Sequence, residues 1–372
     1  MSVELTIKPG PQYYSYGKGA IDNIPKLLDE YRAKKVLILH GKKSWEKAKP
    51  FFSNVFTSDF DFVFEKYSGE CSYLEATRIS EIIVQNNIDF VIGIGGGKLC
   101  DLTLLATSYT MTPFGLTPTL ASNCAPWAAL SVMYKENGMS EGKSAHQNHN
   151  AAFLIADPLL VIDAPVRYFV AGIADTLVKW YESDLVTSQD FLQDSPLVKM
   201  GRYAALLCKE TILNQATQAI KDMENGQCSS AFYNVSEVVI VISGLVGGLA
   251  GKYARNTAAH TVHDALSAIL PGIHKYLHGE KVAYGTFYQL ALEEKWEEID
   301  RLLPFYRELG LPTSLTEMGL YPFTDEEMSK ITKLMVSKEK IRLLPLEINE
   351  EILAEVYVKL EKYLEFKNTR GD

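Results

Sequence analysis

The sequence predicts an α/β domain built on a parallel sheet, followed by an all-α domain. Three observations point there. The chain is 372 residues long, strand and helix patterns alternate through its first third, and after about Asp157 the pattern turns to long helical periodicity with almost no strand alternation. That length exceeds one ordinary core, so two domains are expected, residues 1–157 and residues 158–372.

Each element follows from local pattern. Lys35-Val36-Leu37-Ile38-Leu39-His40 is rich in β-branched and aliphatic residues and precedes a helical stretch. Phe62 to Lys66 reads as a second short strand, Leu74 to Asn86 has apolar residues at helical spacing, and Phe90-Val91-Ile92-Gly93-Ile94 is a buried strand. Strands separated by helices form βαβ units and therefore a parallel sheet. Lys135 to Asn150 is polar and rich in Gly, Asn and Ser, which predicts a hairpin or loop near the domain boundary.

Composition excludes several classes. Hydrophobic residues make up 47% and charged residues 22%, with neither repeats nor low-complexity tracts, as in a globular protein. A formal net charge of -9 without a Lys/Arg cluster argues against a nucleic-acid partner. The N-terminus lacks the basic and apolar segments of a signal peptide. The run Val238 to Gly251 is shorter than the roughly 20 residues of a bilayer span and carries four glycines, so it reads as a buried, closely packed helix. The five cysteines are scattered and never in a close pair, which fits a reducing compartment. A cytoplasmic protein with no membrane partner is expected.

Val91 to Asp101 reads VIGIGGGKLCD, with three consecutive glycines, Gly95, Gly96 and Gly97, between a buried strand and a helix. Such a turn lets backbone N–H groups approach a pyrophosphate, and it is also a plain way to join strand to helix. Further on stand Thr117-Pro118-Thr119, Ala121-Ser122-Asn123-Cys124-Ala125-Pro126 and Leu130-Ser131-Val132-Met133-Tyr134. GGGK with Asp101 three residues on, then PT-x-AS-x-x-AP and LSV-x-Y, resembles the glycerol dehydrogenase-like branch of the iron-containing alcohol dehydrogenases. The resemblance runs from Pro11 almost to the C-terminus. It implies a Rossmann-like N-terminal domain and the all-α C-terminal domain that this fold shares with dehydroquinate synthases. It also places Gly95, Gly96, Gly97, Lys98, Asp101, Thr119, Leu130 and Tyr134 around a nicotinamide cofactor.

In the helical half, Ala171-Gly172-Ile173-Ala174-Asp175 leads into a helix, and Ala259-His260-Thr261-Val262-His263 and Leu277-His278-Gly279-Glu280 follow later. One carboxylate and two imidazoles suit Zn²⁺ or Fe²⁺, and three protein ligands leave a coordination position where a Lewis acid can act on a substrate oxygen. By spacing alone, the same residues also read as a helix cap and hydrogen-bonded core histidines. The resemblance implies the ligand reading: the family's metal is held by an Asp in G-[ILF]-[GA]-D, a His in H-x-x-H and the His of HG-x-x-V, which fall on Asp175, His260 and His278. His263 shares the His260 face, either as a relay for the alcohol proton or as a structural histidine. His274, His146 and His149 are expected to be exposed.

Three departures from the family pattern refine this. Iron-type members carry a histidine four residues after the metal-binding Asp, where this chain has Lys179, on the Asp175 face of the helix. It is either a group beside the substrate pocket or a surface ion pair. Glycerol dehydrogenases resemble other dinucleotide folds in having an Asp after the strand aligned with Val36 to Leu39, where it binds the ribose 2′-OH; here stand His40, Gly41, Lys42 and Lys43. That favours NADP over NAD. Finally, their Asp for a glycerol hydroxyl is replaced by Cys124, beside Trp127.

Together these departures look like the 2-hydroxycarboxylate dehydrogenase type, which acts on small 2-oxo acids, with a glycerol or polyol dehydrogenase as the alternative. A dehydroquinate synthase-like lyase is a distant rival, because that enzyme uses a Glu at position 175 and many basic groups. A silent cofactor-binding sensor is disfavoured by the presence of all three ligands. Relatives form dimers or larger assemblies, so a homo-oligomer acting on a small molecule is expected.

Overall fold

In a computed structural model, which describes residues 3–370, the chain divides into two compact units. One comprises Lys8–Phe169 together with Gln218–Leu245; the other comprises Val170–Thr217 and the chain from Val246 onward. The division falls at Phe169 rather than Asp157, and one cut does not make it. The reason lies in the first strand. Tyr14 donates to Glu237 Oε1 at 3.0 Å and Tyr16 hydrogen-bonds Ser236, so an α-helical segment far along the chain is tied to the α/β unit. Trp127 adds to this: a Cβ on Gly244 would lie 2.7 Å from its indole Cδ1, so only glycine admits the ring there.

The α/β unit is built on β1 (Tyr13–Tyr16), β2 (Lys35–His40), β3 (Asp61–Lys66), β4 (Phe90–Gly95), β5 (Phe114–Pro118), β6 (Leu130–Tyr134), β7 (Ser140–His146) and β8 (Phe153–Ala156). Six of them form a sheet in the order β1-β8-β5-β4-β2-β3, and every pairing is parallel. β4 is buried along its whole length, as a strand covered on both faces must be, which explains its unbroken apolar run. Ile24, Leu28, Val36, Ile38, Phe52, Phe90, Ile92 and Phe153 form the core beneath one face. The polar segment after Tyr134 makes an antiparallel hairpin of β6 and β7, as its composition predicts.

Among the described residues no strand follows Ala156. The helical unit is organised by the long helix Val166–Thr187 and by the helices Ala258–Ile269 and His278–Leu292. The apolar run from Val238 opens with a π-helical turn, Val238–Ile242, and is preceded without a break by the helix Ser230–Glu237. The combined span Ser230–Ala250 is 21 residues, longer than the apolar run implied, and it meets the length and composition of a membrane-crossing helix. Inside this protein 67% of its most apolar 18-residue window is buried, which is the environment a core helix occupies.

Candidate active site

The carboxyl ends of β2, β4 and β5 lie side by side: His40 is in register with Ile94, and Gly95 with Pro118. The sheet grows outward to β3 from β2 and in the opposite direction from β4, so a topological switch point falls between β2 and β4. In open parallel sheets the crevice at such a point takes the ligand. Most of the cofactor residues expected from the sequence gather at or beside this edge. Gly96 caps the helix Gly97–Thr110, and Thr119 N donates to Gly95 O at 3.0 Å, closing the turn. Lys98 Nζ lies 2.6 Å from Glu70 Oε2 and 4.4 Å above the ring of Tyr134. Leu130 and Tyr134, the ends of β6, are partly buried.

At the end of β2, His40 stacks on Trp45 with ring centroids 4.9 Å apart. Lys42 and Lys43 are exposed at the start of the helix Lys42–Ala48. Cys124 is partly buried, and none of the five cysteines is in a disulfide.

Asp101 lies in the first turns of the helix that follows the glycine turn. It is 4% exposed, its Oδ2 accepts from Val132 N at 3.0 Å, and its backbone carbonyl accepts from Ser131 Oγ at 2.7 Å. The carboxyl therefore anchors β6 to the helix after the glycine turn. Burial pushes it up to about 8, against the hydrogen bond from Val132. The folded chain thus keeps a proton that the unfolded chain loses near pH 4. The stability contributed by this group falls as pH rises from about 4 to about 8 and levels off above that. Asp101→Asn is expected to flatten this dependence, so the melting temperature of the variant should gain on wild type between pH 5 and 9; parallel curves would refute the assignment.

The helical unit brings Asp175, His260 and His278 together, with one ligand atom from each within 4.8 Å of the others, a grouping that can hold a metal ion. Asp175 Oδ1 is the focus. His260 Nε2 lies 3.3 Å from it, His278 Nε2 3.4 Å and Lys179 Nζ 3.9 Å, yet this buried oxygen makes no hydrogen bond. A buried carboxylate oxygen without a hydrogen bond, facing two imidazole nitrogens, suits a divalent cation.

The far side of each imidazole supports the same reading. His260 Nδ1 is 2.7 Å from Glu182 Oε2; an ionised carboxylate only accepts, so the proton sits on Nδ1 and Nε2 keeps its lone pair. His263 Nδ1 is 3.2 Å from Asp264 Oδ1, which puts a proton there and leaves His263 Nε2 to accept from His278 Nδ1, also at 3.2 Å. His278 Nε2 is thereby left free as well. Asp264 is held in turn by Lys340 Nζ at 2.6 Å. Burial and the neighbouring His278 push His263 down to about 3, so it is neutral. Although burial opposes its charge, Lys179 and the two imidazoles hold Asp175 well below the usual carboxylate range. Despite burial, Glu182 raises the pKa of His260, a proton that a metal ion would replace.

Lys179 is 6% exposed, so the surface ion pair weighed from the sequence does not form. His274 and His146 are exposed, but His149 is not: its ring meets Phe114 edge-on at 5.5 Å and its Nε2 is buried.

Local packing explains the glycine of the His278 motif. A Cβ on Gly279 would overlap the carbonyl oxygen of Ala171, four residues before Asp175. The helices bearing two of the three ligands therefore touch backbone to backbone. Gly279→Ala is expected to cost about 3 kcal/mol, the upper end for an overpacked site, since backbone yields less than a side chain. Denaturant unfolding measures it, and a loss below about 0.5 kcal/mol would contradict the contact.

Three functional candidates escaped the sequence reading: Glu70, Glu182 and Asp264. Glu182 carried a signal, since Asp175, Lys179 and Glu182 at i, i+4 and i+7 share one helical stripe.

A glycine turn at a switch point and a carboxylate-imidazole cluster on packed helices suit a nucleotide-dependent, metal-using oxidoreductase. Comparison with known proteins agrees. Residues 11–158 match the iron-containing alcohol dehydrogenase family. The chain is 30% identical to hydroxycarboxylate dehydrogenase A of Escherichia coli (strain K12), over 96% of this chain and 98% of that protein. It is 34% identical to a glycerol dehydrogenase of Thermotoga maritima, over 91% of each. The crystal structure of glycerol dehydrogenase from Schizosaccharomyces pombe superposes with a TM-score of 0.86 at 26% identity, covering 99% of this chain and 94% of that one. The chain belongs to the iron-containing alcohol dehydrogenase family and is an oxidoreductase acting on CH–OH groups of small molecules. The family uses a nicotinamide dinucleotide and a divalent metal.

Proposed function

We propose that this enzyme passes hydride between NADP(H) and a small 2-oxo or 2-hydroxy carboxylic acid, with one Zn²⁺ or Fe²⁺ held by Asp175, His260 and His278. When bound, the ion supplies a Lewis acid for the oxygen on the reacting carbon. The chain's own residues do the rest. Gly95, Gly96, Gly97 and Thr119 form the turn for the pyrophosphate, Lys98, Leu130 and Tyr134 bind the nicotinamide end, and His263 holds His278 in the tautomer that ligates.

The observation that carries the acid reading is Lys179, a buried ammonium 3.9 Å from Asp175 Oδ1. A buried cation next to the ligand cluster suits a substrate with its own carboxylate. Cys124 agrees, because the family's aspartate at that motif position would repel such a substrate. A polyol dehydrogenase is the second reading, favoured by the 34% identity to a glycerol dehydrogenase. A panel of 2-oxo acids and polyols, assayed with both cofactors and defined metals, decides between them. Glycerol or 1,2-propanediol turned over far faster than every 2-oxo acid would move the assignment to polyols.

NADPH is expected to serve better than NADH. His40 stands where an acid would bind the ribose 2′-OH and repel a 2′-phosphate, and Lys42 and Lys43 are exposed beside it. Each charge-assisted contact contributes about 1.5–3 kcal/mol, roughly ten- to a hundredfold in kcat/KM. Steady-state kinetics checks this, and a clear preference for NADH would place both lysines in solvent. We read the enzyme as a cytoplasmic homo-oligomer, a dimer or larger, without nucleic-acid or membrane partners.

A further inference from the structure

We infer that Glu182 is the positioning residue of the metal centre: it fixes His260 both in tautomer and in place, by capping from another helix the helix that carries it. This inference rests on the metal-site reading above.

The helix Ala258–Ile269 begins without a cap of its own. Thr257 precedes it in an irregular conformation, φ −137° and ψ −115°, and makes no side-chain cap hydrogen bond. The first N–H groups of a helix have no partner within it, and when buried they must find one elsewhere. Here two side chains from neighbouring helices supply it. Glu182 Oε1 accepts from Thr257 N at 2.7 Å and from His260 N at 2.9 Å, while Gln289 Oε1 accepts from Ala259 N at 3.1 Å. The Gln289 amide is oriented by donating to Tyr181 O and Glu293 Oε1, both at 2.8 Å. Glu182 and Gln289 are fully buried.

The second oxygen of Glu182 takes the His260 Nδ1 proton at 2.7 Å. One carboxylate thus receives the backbone N–H and the ring N–H of the same histidine. Only an acceptor with two oxygens satisfies both sets of donors. In Glu182→Gln the amide has one oxygen: whichever way it turns, its NH₂ faces either the backbone donors or Nδ1. A donor facing Nδ1 moves the ring proton to Nε2 and removes the lone pair that a metal needs.

The test is metal affinity, read on apoprotein by competition with a chromogenic chelator as Zn²⁺ is added, for wild type, Glu182→Gln, Glu182→Asp and His260→Ala. The expected result is a roughly 10–100-fold weaker affinity in Glu182→Gln, partly recovered in Glu182→Asp, and loss of the site in His260→Ala. Wild-type affinity in Glu182→Gln, with the site lost in His260→Ala, would overturn the positioning role and leave the metal site standing. Wild-type affinity in His260→Ala would instead overturn the metal site, and this inference with it. Should Glu182→Gln not fold, ¹⁵N spectra of the histidines in wild-type apoprotein, assigned with His260→Asn, decide the matter: an Nδ1–H tautomer at His260 is expected, and an Nε2–H tautomer contradicts the inference.

Discussion

Asp175→Asn is expected to lower kcat/KM at least about a thousandfold while leaving the unfolding transition cooperative. Removing a Lewis acid from a reacting oxygen forfeits several kcal/mol of transition-state stabilisation, and about 1.4 kcal/mol is a factor of ten. The variant keeps the size and hydrogen-bonding shape of the side chain, so the loss is one of charge and ligation rather than packing. What the substitution also removes is the attraction of Asp175 Oδ1 for Lys179 and the two imidazoles, so the unfolding transition is measured beside the kinetics. Chelation of wild type should have the same effect, reversed by added metal. Activity of Asp175→Asn within tenfold of wild type would place the cation elsewhere.

The second large effect concerns substrate charge. Cys124→Asp is expected to depress reduction of a 2-oxo acid by about 30- to 1000-fold, and oxidation of an uncharged diol much less. If the substrate is the acid proposed above and binds beside residue 124, a like charge a few Å from its carboxylate would cost about 2–4 kcal/mol in a partly dehydrated pocket. Lys179→Ala should mainly raise KM for the acid, since the ammonium attracts the carboxylate before and during reaction alike. Kinetics with an acid and a diol in parallel separate charge from general damage. Equal losses on both substrates in Cys124→Asp would remove the charge argument.

Much of this molecule is legible in the sequence, for identifiable reasons. β2, β3 and β4 and the helix Tyr73–Gln85 fall where the local pattern puts them, because each is a continuous run whose periodicity reports its burial. The three candidate ligands are legible only through the family resemblance of their motifs, since by spacing alone they also read as a helix cap and core histidines. Partners that come from far along the chain carry no such signal. Lys340 meets Asp264 across 76 residues with no periodicity to mark it, and Glu182, although on the Asp175 stripe, has its partner His260 78 residues away. The division of the chain fails for the same reason. Ser236 and Glu237 lie in a helical stretch indistinguishable by pattern from its neighbours, and contacts such as those of the Tyr14 and Tyr16 hydroxyls tie them to the α/β unit. The contact of Asp101 with Val132, across 31 residues, is likewise invisible in the local pattern.

The claim on which the rest depends is that Asp175, His260 and His278 hold one catalytic cation, and elemental analysis tests it most directly. Wild type and His278→Ala, purified side by side and loaded with Zn²⁺ or Fe²⁺, should differ in bound metal by close to one equivalent per chain, with both proteins folded. His278 is the ligand for this test because its ring is 39% exposed, so its removal disturbs packing least. Equal metal content in the two proteins would contradict the account.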